Sequence, residues 1–171
     1  MQIQTYDFNS SNTNNPTDTK LNIFLLNVQH LYNKIDNLRE EIKYYQNFDV
    51  LCFNERNLKV DKLPNGISDL LLEGFHGLIV QEPICASRKG GGLTIYVNKR
   101  VCDEDDIQKF DLNPDATNLC GEFQFLKIKN CKDSNKTVII GDEYRSLARN
   151  HEKFNLLFEN IIQKLNRHIK K

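Results

Sequence analysis

Net charge is the first thing this chain lacks. Its 23 Lys and Arg residues balance 23 Asp and Glu, leaving a formal charge of zero and a pI of about 6.9. That excludes an overall basic field able to hold nucleic acid through counterion release, so any such contact has to be local. The candidates for a local patch are Arg88-Lys89, Lys99-Arg100 and the tail residues Arg167, Lys170 and Lys171, although scattered bases of this kind ordinarily form a solvated face. The cysteines, Cys52, Cys85, Cys102, Cys120 and Cys131, are odd in number and form no C-x-x-C pair. Such a pattern argues against both a zinc site and a closed disulfide framework, and for reduced thiols in an intracellular compartment, nuclear or cytoplasmic. No apolar run reaches the roughly 18 residues needed to cross a bilayer, and no basic-then-apolar signal pattern opens the sequence, so no membrane partner is expected. Internal repeats at periods of about 20–50 residues are also missing.

What remains fits a single core. A length of 171 residues with 39% hydrophobic content suits one domain. Residues 1–20 are rich in Asn, Thr, Ser, Gln and Asp, too polar to offset the entropy of ordering, and read as a disordered leader to a domain over 21–171.

From residue 21 onward the pattern alternates between strand and helix. Leu21–Leu26 is a nearly continuous apolar run, as in a strand covered on both faces, and it ends at Asn27. Leu31, Ile35, Leu38 and Ile42 then recur on one stripe of a helix expected over 31–46. Phe48–Phe53 forms a second apolar strand, so strand, helix and strand make a crossover unit with a parallel pair. Strand carboxyl ends in open α/β sheets are where ligands bind, and this crossover delivers Asn27 and Glu55 to the same rim.

Further along, a Pro-Asn-Gly turn within 63–75 predicts a helical turn or two before a strand over 76–80. Gly90-Gly91-Gly92 precedes the β-rich strand Leu93–Val97 rather than opening a helix and lacks G-K-[ST], so it reads as a hairpin loop and not a phosphate cradle. Asp103-Glu104-Asp105-Asp106 lacks the alternating spacing and Gly of a calcium loop and reads as a solvated acidic turn. Residues 123–129 and 137–140 predict a hairpin, and 150 onward an amphipathic helix bearing Phe154, Leu157, Phe158, Ile161, Ile162, Leu165 and Ile169. His30, His76, His151 and His168 sit at no metal-ligand spacing and read as surface or satisfied structural residues.

Taken in order, these segments carry a resemblance. Leu25-Leu26-Asn27-Val28-Gln29 with Leu31 and Lys34-Ile35, Asp49-Val50-Leu51 leading to Asn54-Glu55, Gly90 to Val97, and Tyr144-Arg145 with Phe154 resemble the endonuclease/exonuclease/phosphatase family. The similarity is greatest to the endonuclease domain of non-LTR, LINE-type retrotransposons, and it runs from about Leu21 to Leu165. It implies a DNase I-like, four-layer α/β sandwich with a mixed sheet and flanking helices, truncated here to its N-terminal part, and phosphodiester hydrolysis on DNA with Mg²⁺ or Mn²⁺. Carried over residue by residue, Asn27 and Glu55 would hold the metal, Asn27, Glu55 and Tyr144 would be catalytic, and Arg145 would contact substrate phosphate. A hard oxygen ligand set suits that ion.

The departures are as informative as the matches. Family members continue into a Gly-Asp-Phe-Asn strand and later a Ser-Asp-His, neither of which occurs in this chain. Gly141-Asp142-Glu143-Tyr144 does not substitute, because it precedes the last helix and has Tyr where Asn is required. Asn54-Glu55-Arg56 and Tyr144-Arg145-Ser146-Leu147 also depart from the family's Thr-Glu and Tyr-Arg-Pro patterns. The resemblance therefore implies a weak or inactive nuclease, since losing general acid–base help alone costs about 10²–10⁴-fold in rate. An alternative is a non-catalytic module that self-associates or binds a partner through an apolar sheet face left exposed. A third is a phosphatase or RNA-directed relative, because fold alone does not set substrate.

Overall fold

Two small sheets and three helices form the described part of the molecule, a mixed α/β fold. The structure, a computed structural model, describes residues 21–28, 30–54, 63–76, 79–81, 92–110, 122–131, 136–144 and 151–169. The expected leader over 1–20, Glu55, Arg145 and most of the Gly-rich loop lie outside these residues.

The expected crossover unit is present. Strand β1 (Ile23–Asn27) leads to helix α1 (Leu31–Glu40), then to short helix α2 (Ile42–Tyr45) and strand β2 (Val50–Asn54). β1 and β2 pair in parallel, from Ile23 opposite Val50 to Asn27 opposite Asn54. In place of one helix over 31–46 there are two, because Glu41 leaves helical geometry at φ −94°, ψ 6°. The bend turns Ile42 and Tyr45 onto the core, where the Tyr45 ring meets Phe24 edge-on at 5.3 Å.

A 3₁₀ turn over Gly66–Leu70 precedes strand β3 (Ile79–Gln81), and β4 (Leu93–Val97) completes a first sheet of order β1-β2-β4-β3. β3 begins three residues later than the sequence predicts. Phe75 makes only an isolated bridge to Asn98, and the His76 ring Nε2 bonds the Cys102 carbonyl at 2.7 Å. The acidic run forms a short 3₁₀ turn over Glu104–Asp106, with Asp103, Glu104 and Asp105 exposed, as expected of a solvated turn. Strands β5 (Ile107–Lys109), β6 (Glu122–Cys131) and β7 (Lys136–Tyr144) make an antiparallel second sheet, and helix α3 (His151–Ile169) ends the described chain.

Side-chain alternation sorts these elements into layers. On one face of the first sheet Phe24, Leu51, Phe53 and Tyr96 pack with Leu31, Ile35 and Leu38 of α1. On its other face Val50, Cys52, Ile95 and Val97 meet Leu126, Ile128 and Ile140 of the second sheet. The far face of the second sheet carries Phe125, which packs with Leu157 and Ile161 of α3. The order across the molecule is helices, sheet, sheet, helix.

The apolar sheet face expected to be exposed is therefore covered over most of its area. Every residue of β4 and the first four of β2 are buried, and Leu25 of edge strand β1 is the exception at 43% exposed. The remaining large apolar exposure includes Leu156, Phe158 and Ile162 on α3, so Phe158 and Ile162 stand beside the helix's buried stripe instead of within it. Among the described residues no helix is long and apolar enough to cross a membrane. Among the described residues Cys52, Cys102 and Cys131 are buried free thiols.

Candidate functional site: a polar rim between the sheets

Along β1, β2, β6 and β7 the inward-facing residue type changes from apolar to polar at the same end of the molecule, while β4 stays apolar to Leu93. On β2 the inward positions are Val50, Cys52 and Asn54, and on β7 they are Val138, Ile140, Asp142 and Tyr144. On β6 the sequence reads Ile128, Leu126, Gln124, Glu122 toward that end. β1 contributes Asn27, which is exposed and opposite Asn54 in register. Leu93 of β4 lies opposite Asn54, and Glu122 of β6 lies opposite Tyr144, so these five strands deliver their ends to one rim.

Two hydrogen bonds tie the two sheets together there. Asn54 Nδ2 donates to the Glu143 carbonyl at 2.9 Å across 89 residues of sequence. Nearby the Gly92 N–H donates to Glu122 Oε2 at 2.6 Å, joining the start of β4 to the start of β6. The rim is an assembled feature of both sheets.

Three of its groups have displaced proton equilibria. Burial pushes the Asp142 carboxyl up to about 7, a hydrogen bond from the Glu143 N–H pulls it partly back, and the Glu143 charge adds to the rise. Burial raises Glu143 as well. The Cys52 thiol is pushed well above its ordinary range by burial first and by the Asp142 charge second, which makes it a poor nucleophile. Asp142 Oδ2 and Asn54 Oδ1 are both buried without a hydrogen-bond partner.

Behind the rim, on the helical side, Leu26, Asn27, Val28, Lys34, Asn37 and Leu38 line a shallow cleft of about 280 Å³. Lys34 Nζ donates to the Val28 carbonyl on its wall. Lys34 is thus the base held nearest to Asn27 among the residues lining this cleft.

The structure brings Asn27 and Tyr144 to the same rim. Glu55 and Arg145 follow directly on Asn54 and Tyr144 but lie outside the described residues. For a divalent ion the rim's chemistry is of the right kind, since amide and carboxylate oxygens are hard donors. The described half supplies little of a cage, because among the described residues no group of three or more His, Cys, Asp and Glu is placed to hold a metal. Asn27 with Glu55 would have to hold it. His30 and His151 are exposed and His76 is bonded to backbone, consistent with the non-ligand reading.

Sequence reasoning carried Asn54 to the end of the second strand but missed Glu122 and Asp142 as rim residues. The signal for Asp142 was present in the period-two sequence Val138, Ile140, Asp142, Tyr144, which puts the acid on the same face as two core residues. No family model, curated protein or solved structure matches this chain.

Proposed function

We propose that the chain carries a DNase I-like fold of the endonuclease/exonuclease/phosphatase type, related to the LINE-type endonucleases. Its chemistry is Mg²⁺-dependent phosphodiester hydrolysis on DNA. The observation that carries this reading is the convergence of Asn27, Asn54 and Tyr144 at one rim between two facing sheets. The helix, sheet, sheet, helix order supports it independently.

In this reading Asn27 and Glu55 hold a divalent ion, Tyr144 and Arg145 contact the phosphate, and the ion's role is to neutralise charge developing on phosphate oxygens. The elements that would supply a general base are not among these 171 residues. Turnover is accordingly weak or absent, while metal-dependent contact with DNA persists.

Supercoiled plasmid incubated with Mg²⁺, run beside Glu55→Ala and an EDTA control, tests both halves. We expect nicking little above the controls, together with Mg²⁺-dependent retention of duplex DNA that Glu55→Ala abolishes. Retention equal in the wild type, Glu55→Ala and EDTA would contradict the reading.

A further inference from the structure

We propose that Asp142 is held as the neutral acid and that its hydroxyl donates to Asn54 Oδ1, closing a proton-dependent clasp between the two sheets at the rim. The geometry rests on Glu143. Its carbonyl accepts from Asn54 Nδ2 at 2.9 Å, and its N–H donates to the Asp142 carboxyl. Two side chains from opposite sheets are thus anchored on a single residue of β7. Each leaves one oxygen buried and bare, Asn54 Oδ1 and Asp142 Oδ2.

Both bare atoms are acceptors when Asp142 is ionised, so they have nothing to offer one another. One added proton turns Oδ2 into a donor and satisfies both atoms at once. Leaving them bare would cost the desolvation of two polar groups, and leaving Asp142 charged would cost more.

The surroundings favour the proton. From β2 the group meets the Cys52 thiol, whose own proton is held tightly. On β6 neutral Gln124 is its register partner, and the next position on that face is Glu122, whose Oε2 is engaged by the Gly92 N–H. β4 contributes Leu93 and Ile95 on that face, and β7 itself contributes Tyr144 there and the acid Glu143 next in sequence. None of these is a cation. The position of Asp142, displaced upward to about 7, agrees with the same environment.

The clasp has a consequence for the rim. It joins the end of β2, which leads into Glu55, to the end of β7, which carries Tyr144. Ionising Asp142 puts a charge and two bare acceptors between the sheets and loosens that joint. This goes beyond the nuclease reading and holds whether or not the rim binds DNA.

Difference infrared spectroscopy of the whole chain tests it, using the carbonyl stretch of a protonated carboxylic acid. The wild type is expected to show that band below neutrality and lose it with a midpoint near 7, and Asp142→Asn should lack it. In Asn54→Ala the band should move to the position of an acid without a hydrogen-bond acceptor, with a lower midpoint. Three results would overturn the clasp: no such band in the wild type below neutrality, a band unmoved in Asn54→Ala, or a band abolished by Mg²⁺ at constant pH, which would put a cation where the proton is assigned.

Discussion

At the end of the first sheet where β2 begins, Asp49 is buried and fully engaged. It accepts the Asn22 N–H at 2.7 Å and the Arg100 Nε–H at 2.9 Å, and pairs with an Nη of the same guanidinium at 2.8 Å. Arg100 goes on to bond the carbonyls of Gln46 and Asn47, and the Asn98 amide bonds those of Gln46 and Phe48. At the other end Asp142 is just as buried, at 6% against 9% exposed, and keeps an oxygen with no partner. The first end closes the fold, with its polar groups spent on the chain's own backbone. The second holds polar capacity that the fold does not use, and such groups mark sites where a protein binds or switches.

Between these ends the sandwich is apolar, and there the largest effect is expected. Ile95→Ala removes a fully buried side chain from the facing sheets and should lower unfolding free energy by about 2–5 kcal/mol in a denaturant titration. Such a loss would fall equally on both ends.

Protons should separate them. The Asp142 carboxyl is raised from an ordinary 3.8 to about 7 in the fold, so between those values the unfolded chain has released a proton that the folded chain still holds. Its contribution to stability is full below about pH 4, falls as pH rises and is gone above about 7. Asp142→Asn should abolish this slope. At about 1.4 kcal/mol per unit the wild type loses on the order of 4 kcal/mol relative to the variant across that window. Thermal melts of both proteins from acid to neutral pH check it, and parallel curves would refute it.

A smaller effect should come from Gly141, one residue before Asp142. A Cβ there would stand 2.6 Å from Phe125 Cε1, so Gly141→Ala must push aside a ring that helps pack α3. We expect a loss of about 1–3 kcal/mol by denaturant unfolding. At the closed end, Asp49→Asn keeps the shape and removes the charge opposite a half-exposed Arg100. The cost there should be about 1 kcal/mol after allowing for solvent screening, and it should shrink in high salt.

Much of this architecture was legible in the residues. The apolar runs ending at Asn27 and Phe53 and the stripe of Leu31, Ile35 and Leu38 identified the parallel pair and its crossover, because period and burial coincide there. The late start of β3 and the break at Glu41 were not legible, since both are set by contacts of Phe75, His76 and Tyr45 with distant residues. The three residues of β5 are too few to carry a periodic signal. β7 runs on through Gly141, Asp142 and Glu143, residue types that ordinarily mark a turn, because pairing with β6 overrides local preference. Of the rim, Asn27 followed from the crossover and Tyr144 from a family resemblance. The Asn54–Glu143 bond joins positions too far apart for any local pattern to reveal.

The difference between the two ends is most directly tested by titrating Mg²⁺ into ¹⁵N-labelled protein and following backbone amide shifts residue by residue. Changes should concentrate at Asn27, Asn54, Glu55 and Tyr144, with Asp49, Asn98 and Arg100 still. Shifts centred instead on the acidic turn at Asp103–Asp106, or spread equally over both ends, would contradict it.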